Sequence, residues 1–187
     1  MADGYVVEAA GVTKRFRDSR GGALLTAVDC LDIRAARGKM TALIGPDGAG
    51  KTTFLRMVCG LMFPTEGILS VLGISVADKP ADVQRRLGYM PQKFGLYEDL
   101  TCMENMNLYA DLHGISKEER EKRYDRLLTM TGLAPFTDRR AGQLSGGMKQ
   151  KLALACTLIH KPAVLLLDEP TTGVDPVARR EFWDILR

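Results

Sequence analysis

A glycine-rich loop between a strand pattern and a helix pattern is the feature that most constrains this chain. Met40 to Ile44 form a compact apolar run that predicts a strand, and Lys51 to Cys59 have helical spacing. Between them, Gly45 to Thr52 read G-P-D-G-A-G-K-T and fit the pattern G-x-x-x-x-G-K-[ST] at every fixed position. Roughly one chain in a hundred or fewer would match by chance at average residue usage. The order of strand, glycine loop and helix predicts a phosphate-binding loop in an α/β fold.

The spacing of this loop suits a triphosphate. Glycines let backbone N–H groups turn inward around phosphate oxygens, and the N-terminus of the following helix adds a partial positive charge. In this pattern Lys51 reaches the β- and γ-phosphates, and the Thr52 hydroxyl is a ligand for Mg²⁺. The alternative is a glycine-rich connecting loop without a ligand, which the full match disfavours.

Two adjacent carboxylates follow a second apolar run. Ala163 to Leu167 predict a parallel strand buried on both faces, and Asp168 and Glu169 come next, at the edge where open parallel sheets bind ligands. Asp168 suits the magnesium shell, and Glu169 can polarise an attacking water as a general base. The alternative for the pair alone is an acidic turn before Pro170. The phosphate loop elsewhere in the chain favours the catalytic interpretation.

A second helix start also presents backbone donors. Ser145, Gly146 and Gly147 open a long apolar helix pattern that runs to Ile159. Ser145 caps such a helix, and the open N–H groups at its positive end make a second anion site. One chain cannot easily wrap both anion sites around one triphosphate. A plain helix cap is the alternative.

The remaining patterns in the first half predict strands and one short helix. Tyr5 to Ala9 and Ala27 to Ile33 predict an antiparallel hairpin around a loop at residues 17–22, and Ile68 to Leu72 predict another strand. Pro80 to Leu87 predict a short helix, because proline is tolerated in the first helical turn.

A helical block fills the second half. Ser116, with Glu119 three residues on, predicts a capping box for a helix that ends at Gly132. The charge run Lys117 to Arg126 is then a solvated helix face. Asp175 is expected to cap the last helix of the chain.

Composition excludes several classes of protein. The formal net charge of +3 is too small a basic bias to predict nucleic-acid binding. The longest uncharged stretches, such as Leu152 to His160, fall short of the roughly 20 apolar residues that cross a bilayer. The N-terminus lacks the basic region and following apolar region of a signal peptide. The four cysteines are widely scattered, without the CxxC spacing of a zinc site or redox pair, so we expect free thiols. We expect a cytoplasmic domain with no nucleic-acid partner.

Together these residues resemble the ATP-binding cassette (ABC) subunits of transporters over almost the whole chain. Five motifs occur in the family's order: Walker A at Gly45 to Thr53, the Q-loop Gln92, the signature Leu144 to Met148, Walker B at Val164 to Glu169, and the D-loop Asp175. Within the family, residues 89–97 look like those of the multidrug-efflux branch, especially bacterial exporter subunits with two cassettes in one polypeptide.

The resemblance implies an α/β fold of the P-loop NTPase, ABC-cassette type, with a mixed or parallel sheet core, an N-terminal antiparallel β part and a helical subdomain. Residues 1–90 and 160–187 would form the RecA-like core with the β subdomain, and residues from about 91 to 159 the helical subdomain. The family's switch histidine lies on a strand beyond Walker B that this chain does not reach, and neither His113 nor His160 can replace it. The last helix pattern ends at Arg187 without a stop signal, so we expect a chain truncated at its C-terminus.

The resemblance also implies ATP and Mg²⁺ as cofactors and assigns site residues. The Walker A contacts would come from Gly45, Pro46, Asp47, Gly48, Ala49, Gly50, Lys51, Thr52 and Thr53. Gln92 would sense the γ-phosphate, magnesium and attacking water, and Phe16 would stack on adenine, with strand packing as its alternative. The catalytic residues would be Glu169, Gln92 and Lys51. The metal ligands would be Thr52, Gln92 and Asp168.

The partners implied are a second cassette and transmembrane permease subunits. In a head-to-tail dimer, Ser145, Gly146 and Gly147 of one cassette would close over ATP held by Lys51 and Thr52 of the other, and the D-loop aspartate would cross the interface. The residues expected to line the groove for a permease coupling helix are Phe94, Leu96 and Tyr97, with core packing as the alternative. The cassette would lie on the inner face of the membrane through the permease.

Two residues depart from the family's usual motifs. Asp47 replaces asparagine, so its charge must point away from phosphate or its side chain must form the turn. Met148 replaces glutamine in the signature, which removes one polar contact and none of the backbone donors.

The expected activity is ATP hydrolysis that powers export of small molecules, including drugs. The alternatives are a nucleotide-binding module with little or no catalysis and a soluble cassette ATPase that acts on ribosomes. A DNA-repair cassette is disfavoured, because no sustained heptads lie between Walker A and the signature.

Overall fold

The N-terminal part of the chain forms a four-stranded antiparallel sheet in the computed structural model, which describes residues 4–17, 22, 24–93 and 95–186. The strands are β1 (Tyr5–Arg17), β2 (Leu24–Ala36), β3 (Glu66–Val71) and β4 (Ile74–Ser75), in the order β2-β1-β3-β4. The predicted hairpin of β1 and β2 is confirmed, and both strands are longer than the sequence indicated. Residues 18–21 of the predicted loop lie outside the described residues.

One face of this sheet is buried. Val7 and Ala9 of β1 lie opposite Val71 and Leu69 of β3, and all four side chains are buried. Because side chains alternate between the two faces of a strand, the residues between them lie on the other face. The buried positions therefore form one apolar side of the sheet.

Two helices belong to the same unit of the fold, Met1–Leu87. Helix α1 (Lys51–Val58) follows the glycine loop and contacts β2 and β3. Its buried side chains are Phe54, Met57 and Val58. Helix α2 (Pro80–Gln84) has its proline in the first turn, as predicted, and is shorter than expected because Leu87 already begins the next strand.

The strand predicted over Met40–Ile44 is wrong. These residues have no regular secondary structure, and no described strand pairs with them. An extended segment becomes a strand when a neighbour takes up its N–H and C=O groups. Among the described strands, none is such a neighbour of this apolar run. Its side chains are correspondingly open to solvent, with exposed fractions of 68% for Met40 and 91% for Ile44.

The second unit, Gly88–Arg187, combines a two-stranded sheet with four α-helices and two short 3-10 helices, Ala134–Phe136 and Ala141–Gln143, among its described residues. Strand β5 (Leu87–Met90), which starts at the unit boundary, pairs with β6 (Val164–Leu167). The helices are α3 (Cys102–Leu112), α4 (Lys117–Thr131), α5 (Gly146–Leu158) and α6 (Pro176–Ile185). Strand β6 is half-buried, so the expected burial on both faces is wrong. Among the described strands, β5 is its one ladder neighbour.

Helix ends in this unit follow the sequence with one exception. Gly132 adopts a left-handed conformation (φ 68°) at the end of α4, and Asp175 caps α6, both as predicted. Ser116 accepts a hydrogen bond from the Glu119 backbone at 3.4 Å, but the Glu119 carboxylate forms an ion pair with Arg123 at 2.9 Å. The predicted box is therefore half formed, since its carboxylate has a stronger partner within the helix.

A complete capping box instead opens α3. The Thr101 hydroxyl accepts from the Glu104 backbone N–H at 3.1 Å, and the Glu104 carboxylate accepts from the Thr101 N–H at 2.8 Å. The Thr101 backbone donor lowers the pKa of Glu104, because it stabilises the charged carboxylate. This box positions the start of a helix whose residues Cys102, Met106 and Ala110 are buried in the core.

The two histidines contact each other, and the four cysteines are free thiols. His113 and His160 stack with ring centroids 3.8 Å apart, and burial lowers the pKa of His113. All four cysteines lie among the described residues and form no disulfide, as the sequence predicts. Among the described helices, none has the length and hydropathy required to cross a membrane.

Candidate functional site

Two glycines in the glycine loop have backbone conformations that other residues rarely adopt. Gly48 and Gly50 adopt left-handed conformations, with φ of 79° and 86°, and Gly50 immediately precedes helix α1. A Cβ atom on Gly50 would lie 2.1 Å from the Ala27 carbonyl oxygen, whereas one on Gly48 would meet nothing within 4 Å. Position 50 therefore requires glycine for two reasons, the left-handed backbone angle and the close approach of β2.

Lys51 folds back onto this loop. Its ammonium group donates to the carbonyl oxygens of Gly45 at 2.8 Å and Pro46 at 2.9 Å. These contacts hold the positive charge beside the loop, at the N-terminus of α1. The local geometry thus supplies the two elements of an anion site, a cation and a helix start.

The Asp47 side chain lies in solvent, within ion-pair distance of Lys51. The side chain is fully exposed, and its Oδ1 atom lies 4.0 Å from the Lys51 ammonium. Water screens an exposed carboxylate at this distance, so its charge perturbs the anion site only weakly. The expectation that Asp47 points away from a bound phosphate stays a prediction.

Phe16 lies near the end of β1, opposite Leu25 of β2. Its ring is half-buried, and the Lys14 ammonium lies 5.3 Å from the ring centroid. Phe16 is therefore only partly buried and lies outside the interior of the core. The stacking of adenine on Phe16 stays a prediction.

The first carboxylate of the pair is buried at the end of β6. Asp168 is 2% exposed, and its backbone N–H donates to the Met90 carbonyl at 2.9 Å, which extends the pairing with β5. The Tyr89 hydroxyl donates to Asp168 Oδ2 at 3.1 Å. A buried carboxylate needs such donors, and Tyr89 fixes the orientation of this one.

The second carboxylate lies on a strained turn. Glu169 has a φ of 50°, a left-handed conformation that costs a residue with a side chain about 1–3 kcal/mol. Its Oε2 atom accepts hydrogen bonds from Gln92 Nε2 at 3.0 Å and from Thr172 Oγ1 at 3.1 Å. The structure thus brings together three predicted site residues, Gln92, Asp168 and Glu169. Such strain, held by side-chain contacts, is typical of functional sites.

The start of α5 has the predicted cap. The Ser145 hydroxyl accepts from the Met148 backbone N–H at 3.3 Å. A Cβ atom on Gly147 would lie 2.8 Å from the Ala178 side chain of α6, whereas one on Gly146 would meet nothing within 4 Å. Gly147 therefore permits close packing of α5 on α6, whereas the space beside Gly146 is open.

Asp175 acts as a helix cap within this chain. Its Oδ1 atom accepts from the backbone N–H groups of Val177 and Ala178, each at 3.0 Å. The side chain is thereby fixed at the start of α6. A contact of Asp175 across a dimer stays a prediction.

The predicted groove residues have different environments. Leu96 is partly buried and packs against the core, which favours the packing alternative. Tyr97 is 58% exposed, and its backbone N–H and C=O both bond the fully buried side chain of Asn105. Phe94 lies outside the described residues.

Sequence reasoning assigned no site role to Tyr89 or Thr172. Tyr89 lies on β5, which pairs with β6, and Gln92 follows the end of β5. Thr172 follows Glu169 by three residues in a turn. A hydroxyl at that spacing is a known signal for a local turn contact. The Tyr89 contact joins residues 79 apart, which the sequence pattern alone does not show.

Site residues are divided between the two units. The glycine loop with Lys51 and Thr52 belongs to Met1–Leu87. The glutamine, the carboxylates and the capped glycine segment belong to Gly88–Arg187.

Comparison with known proteins establishes the family. The sequence model of the ABC transporter family matches residues 28–172, and the chain belongs to that family. The chain is 54% identical over 181 residues to the probable multidrug ABC transporter ATP-binding protein YbhF of Escherichia coli (strain K12). The aligned region covers 97% of this chain and 31% of the relative. The chain is 40% identical over 187 residues to the daunorubicin resistance ATP-binding protein DrrA3 of Streptomyces coeruleorubidus, covering 100% of this chain and 57% of the relative. The chain thus spans a third to somewhat over half of these curated relatives.

Solved structures show the same fold. An ATP-binding subunit of an ABC transporter matches with a TM-score of 0.81 and 32% identity, covering 97% of this chain and 73% of the other. The ATP-binding cassette MJ0796, in a dimeric post-hydrolysis state bound to ADP and Pi, matches with a TM-score of 0.85 and 30% identity, covering 96% and 81%. The α/β fold of the ABC-cassette type predicted from the sequence is therefore confirmed.

Proposed function

We propose that this chain is the ATP-binding and ATP-hydrolysing cassette of an ABC transporter that exports small molecules. One observation carries the hydrolytic part of the proposal: the Gln92 amide lies 3.0 Å from the Glu169 carboxylate, directly beside the buried Asp168. A glutamine and two carboxylates that follow two paired strands are groups that can orient a water molecule and hold a divalent cation.

The glycine loop is the proposed triphosphate site. Backbone N–H groups of Gly48 and Gly50 would bind phosphate oxygens, and the Ala49 N–H would do so by giving up its hydrogen bond to the Pro46 carbonyl. Lys51 would likewise exchange its two carbonyl contacts for the β- and γ-phosphates. The remaining Walker A positions, assigned by the motif, are Gly45, Pro46, Asp47, Thr52 and Thr53. Phe16 would stack on adenine.

The donor set fits Mg²⁺. Thr52 offers a hydroxyl oxygen, Gln92 an amide oxygen and Asp168 a carboxylate oxygen, and magnesium prefers oxygen ligands of this kind. When bound, the ion would neutralise charge on the β- and γ-phosphates. Glu169 would take a proton from water while the water oxygen attacks the γ-phosphorus and the bond to the ADP oxygen breaks. The products are ADP and phosphate.

The proposed partners are a second cassette and transmembrane permease subunits. Ser145, Gly146 and Gly147 would close over ATP held by the second cassette, because their helix start is a separate anion site. The dimeric form of the related cassette MJ0796 supports this arrangement. Contacts with the permease would place the chain on the inner face of the membrane, with the exposed Tyr97 at that interface.

The relatives support export as the direction of transport. YbhF is named as a probable multidrug transporter component, and DrrA3 as a daunorubicin resistance protein. We therefore propose small organic molecules, drugs among them, as the cargo class.

Glu169→Gln provides the test of the hydrolytic role. The variant keeps the size of the side chain and one acceptor oxygen but cannot take the proton from water, so magnesium-dependent ATP turnover should fall about 10²-fold or more. ATP binding, measured by isothermal titration, should persist. Unchanged turnover in this variant would contradict the proposal, and a parent that binds ATP without turnover would be a binding module.

A further inference from the structure

We propose that Thr172 is a positioning residue for the general base Glu169, a role that rests on the proposed ATPase function. Two contacts join these residues. The Thr172 hydroxyl donates to Glu169 Oε2 at 3.1 Å, and the Thr172 backbone N–H donates to the Glu169 carbonyl at 3.2 Å. One residue thus holds both the backbone and the carboxylate of the proposed base.

The turn gives this contact a specific task. Glu169 adopts a left-handed conformation that side chains rarely favour, and this conformation sets the direction in which its side chain leaves the backbone. The following turn is closed again by the Val174 N–H, which donates to the Thr171 carbonyl at 3.4 Å, and Val174 is buried. Thr172 therefore lies on an anchored turn, with its hydroxyl aimed at the carboxylate.

Two donors converge on one carboxylate oxygen from different parts of the chain. Gln92 lies in the segment after β5, 77 residues from Glu169, whereas Thr172 belongs to the same turn as the glutamate. A change in the position of the Gln92 segment would remove the first contact and leave the second. Thr172 would then keep the carboxylate oriented while the glutamine engages nucleotide and water.

Loss of this hydroxyl should impair turnover without weakening nucleotide binding. A carboxylate that lacks its orienting partner samples more rotamers, and supporting contacts of this kind change activity by about 10- to 100-fold. Thr172 is exposed and lies three residues beyond the carboxylate, so its substitution leaves every residue of the glycine loop unchanged.

The test uses Thr172→Val and Thr172→Ser in the full-length protein, with Thr171→Val as a matched control. Valine keeps the shape and removes the donor, so kcat should fall about tenfold while KM for ATP stays within about twofold. Serine keeps the hydroxyl and should restore most of the parental kcat. Thr171→Val should have the parental kcat and KM, because the hydroxyl that donates to the Glu169 carboxylate is that of Thr172.

A double variant separates positioning from stability. If Thr172 acts through Glu169, adding Thr172→Val to Glu169→Gln should cause little further loss of turnover. Parental kcat in Thr172→Val, or an equal loss in Thr172→Ser, would overturn the role of the hydroxyl while Glu169→Gln still abolishes turnover. Turnover that survives Glu169→Gln would overturn the proposed function and this role together.

Discussion

The glycine loop and the carboxylate turn use the same backbone conformation in opposite ways. Gly48 and Gly50 adopt left-handed angles that glycine reaches without strain. Glu169 adopts a left-handed angle with a side chain, and contacts from Gln92 and Thr172 hold that side chain. The conformation of the first region rests on glycine's backbone freedom, whereas that of the second is accompanied by hydrogen bonds to the side chain.

Gly50→Ala should have the largest effect on stability of any change in this comparison. The added methyl carbon would lie 2.1 Å from the Ala27 carbonyl and would require a left-handed alanine. We expect a loss of at least about 2 kcal/mol in the free energy of unfolding, together with loss of ATP binding. Denaturant unfolding measures the first and isothermal titration the second.

Gly48→Ala is the matched control. It imposes the same backbone strain without a clash, since nothing lies within 4 Å of its added carbon. Its cost should be about 1–2 kcal/mol. Equal losses in the two variants would show that close approach of β2 is not what requires glycine at position 50.

Tyr89→Phe should have an intermediate effect and tests the buried carboxylate. The change removes the donor 3.1 Å from Asp168 Oδ2 while keeping the ring. Taking one hydrogen bond from a buried carboxylate should cost about 1–3 kcal/mol in the free energy of unfolding. A chemical denaturation curve indistinguishable from that of the parent would contradict the importance of this contact.

Asp47→Asn should have the smallest effect. The carboxylate is fully exposed and 4.0 Å from Lys51, so the change in stability should stay within about 0.5 kcal/mol. ATP should bind slightly more tightly at low salt, because one negative charge near the phosphates is removed, and the difference should shrink as salt is added. Binding titrations at two ionic strengths check this. A large and salt-independent gain would mean that Asp47 faces the phosphates.

Local signals explain which parts of the fold were predictable from the sequence. The glycine loop, the Ser145 and Asp175 caps and the Gly132 helix end each follow from the preferences of single residues, and the structure confirms these elements. The hairpin of β1 and β2 follows equally from its strand patterns.

Features that depend on distant partners were harder to predict. The apolar run Met40–Ile44 reads as a strand, but a strand needs a neighbour, and the described residues give it none. The Glu119 carboxylate pairs with Arg123 instead of completing its capping box. The contacts of Glu169 with Gln92 and of Asp168 with Tyr89 join residues 77 and 79 positions apart. Such pairs follow from the fold, and no spacing within one segment encodes them.

The most direct test of the account measures ATP binding and magnesium-dependent turnover side by side in two variants. Lys51→Ala should lose ATP binding and therefore turnover, because it removes the cation of the glycine loop. Glu169→Gln should retain binding and lose turnover about 10²-fold or more. This separation would support a phosphate-binding loop and a catalytic turn with distinct tasks. Full turnover in either variant would contradict it.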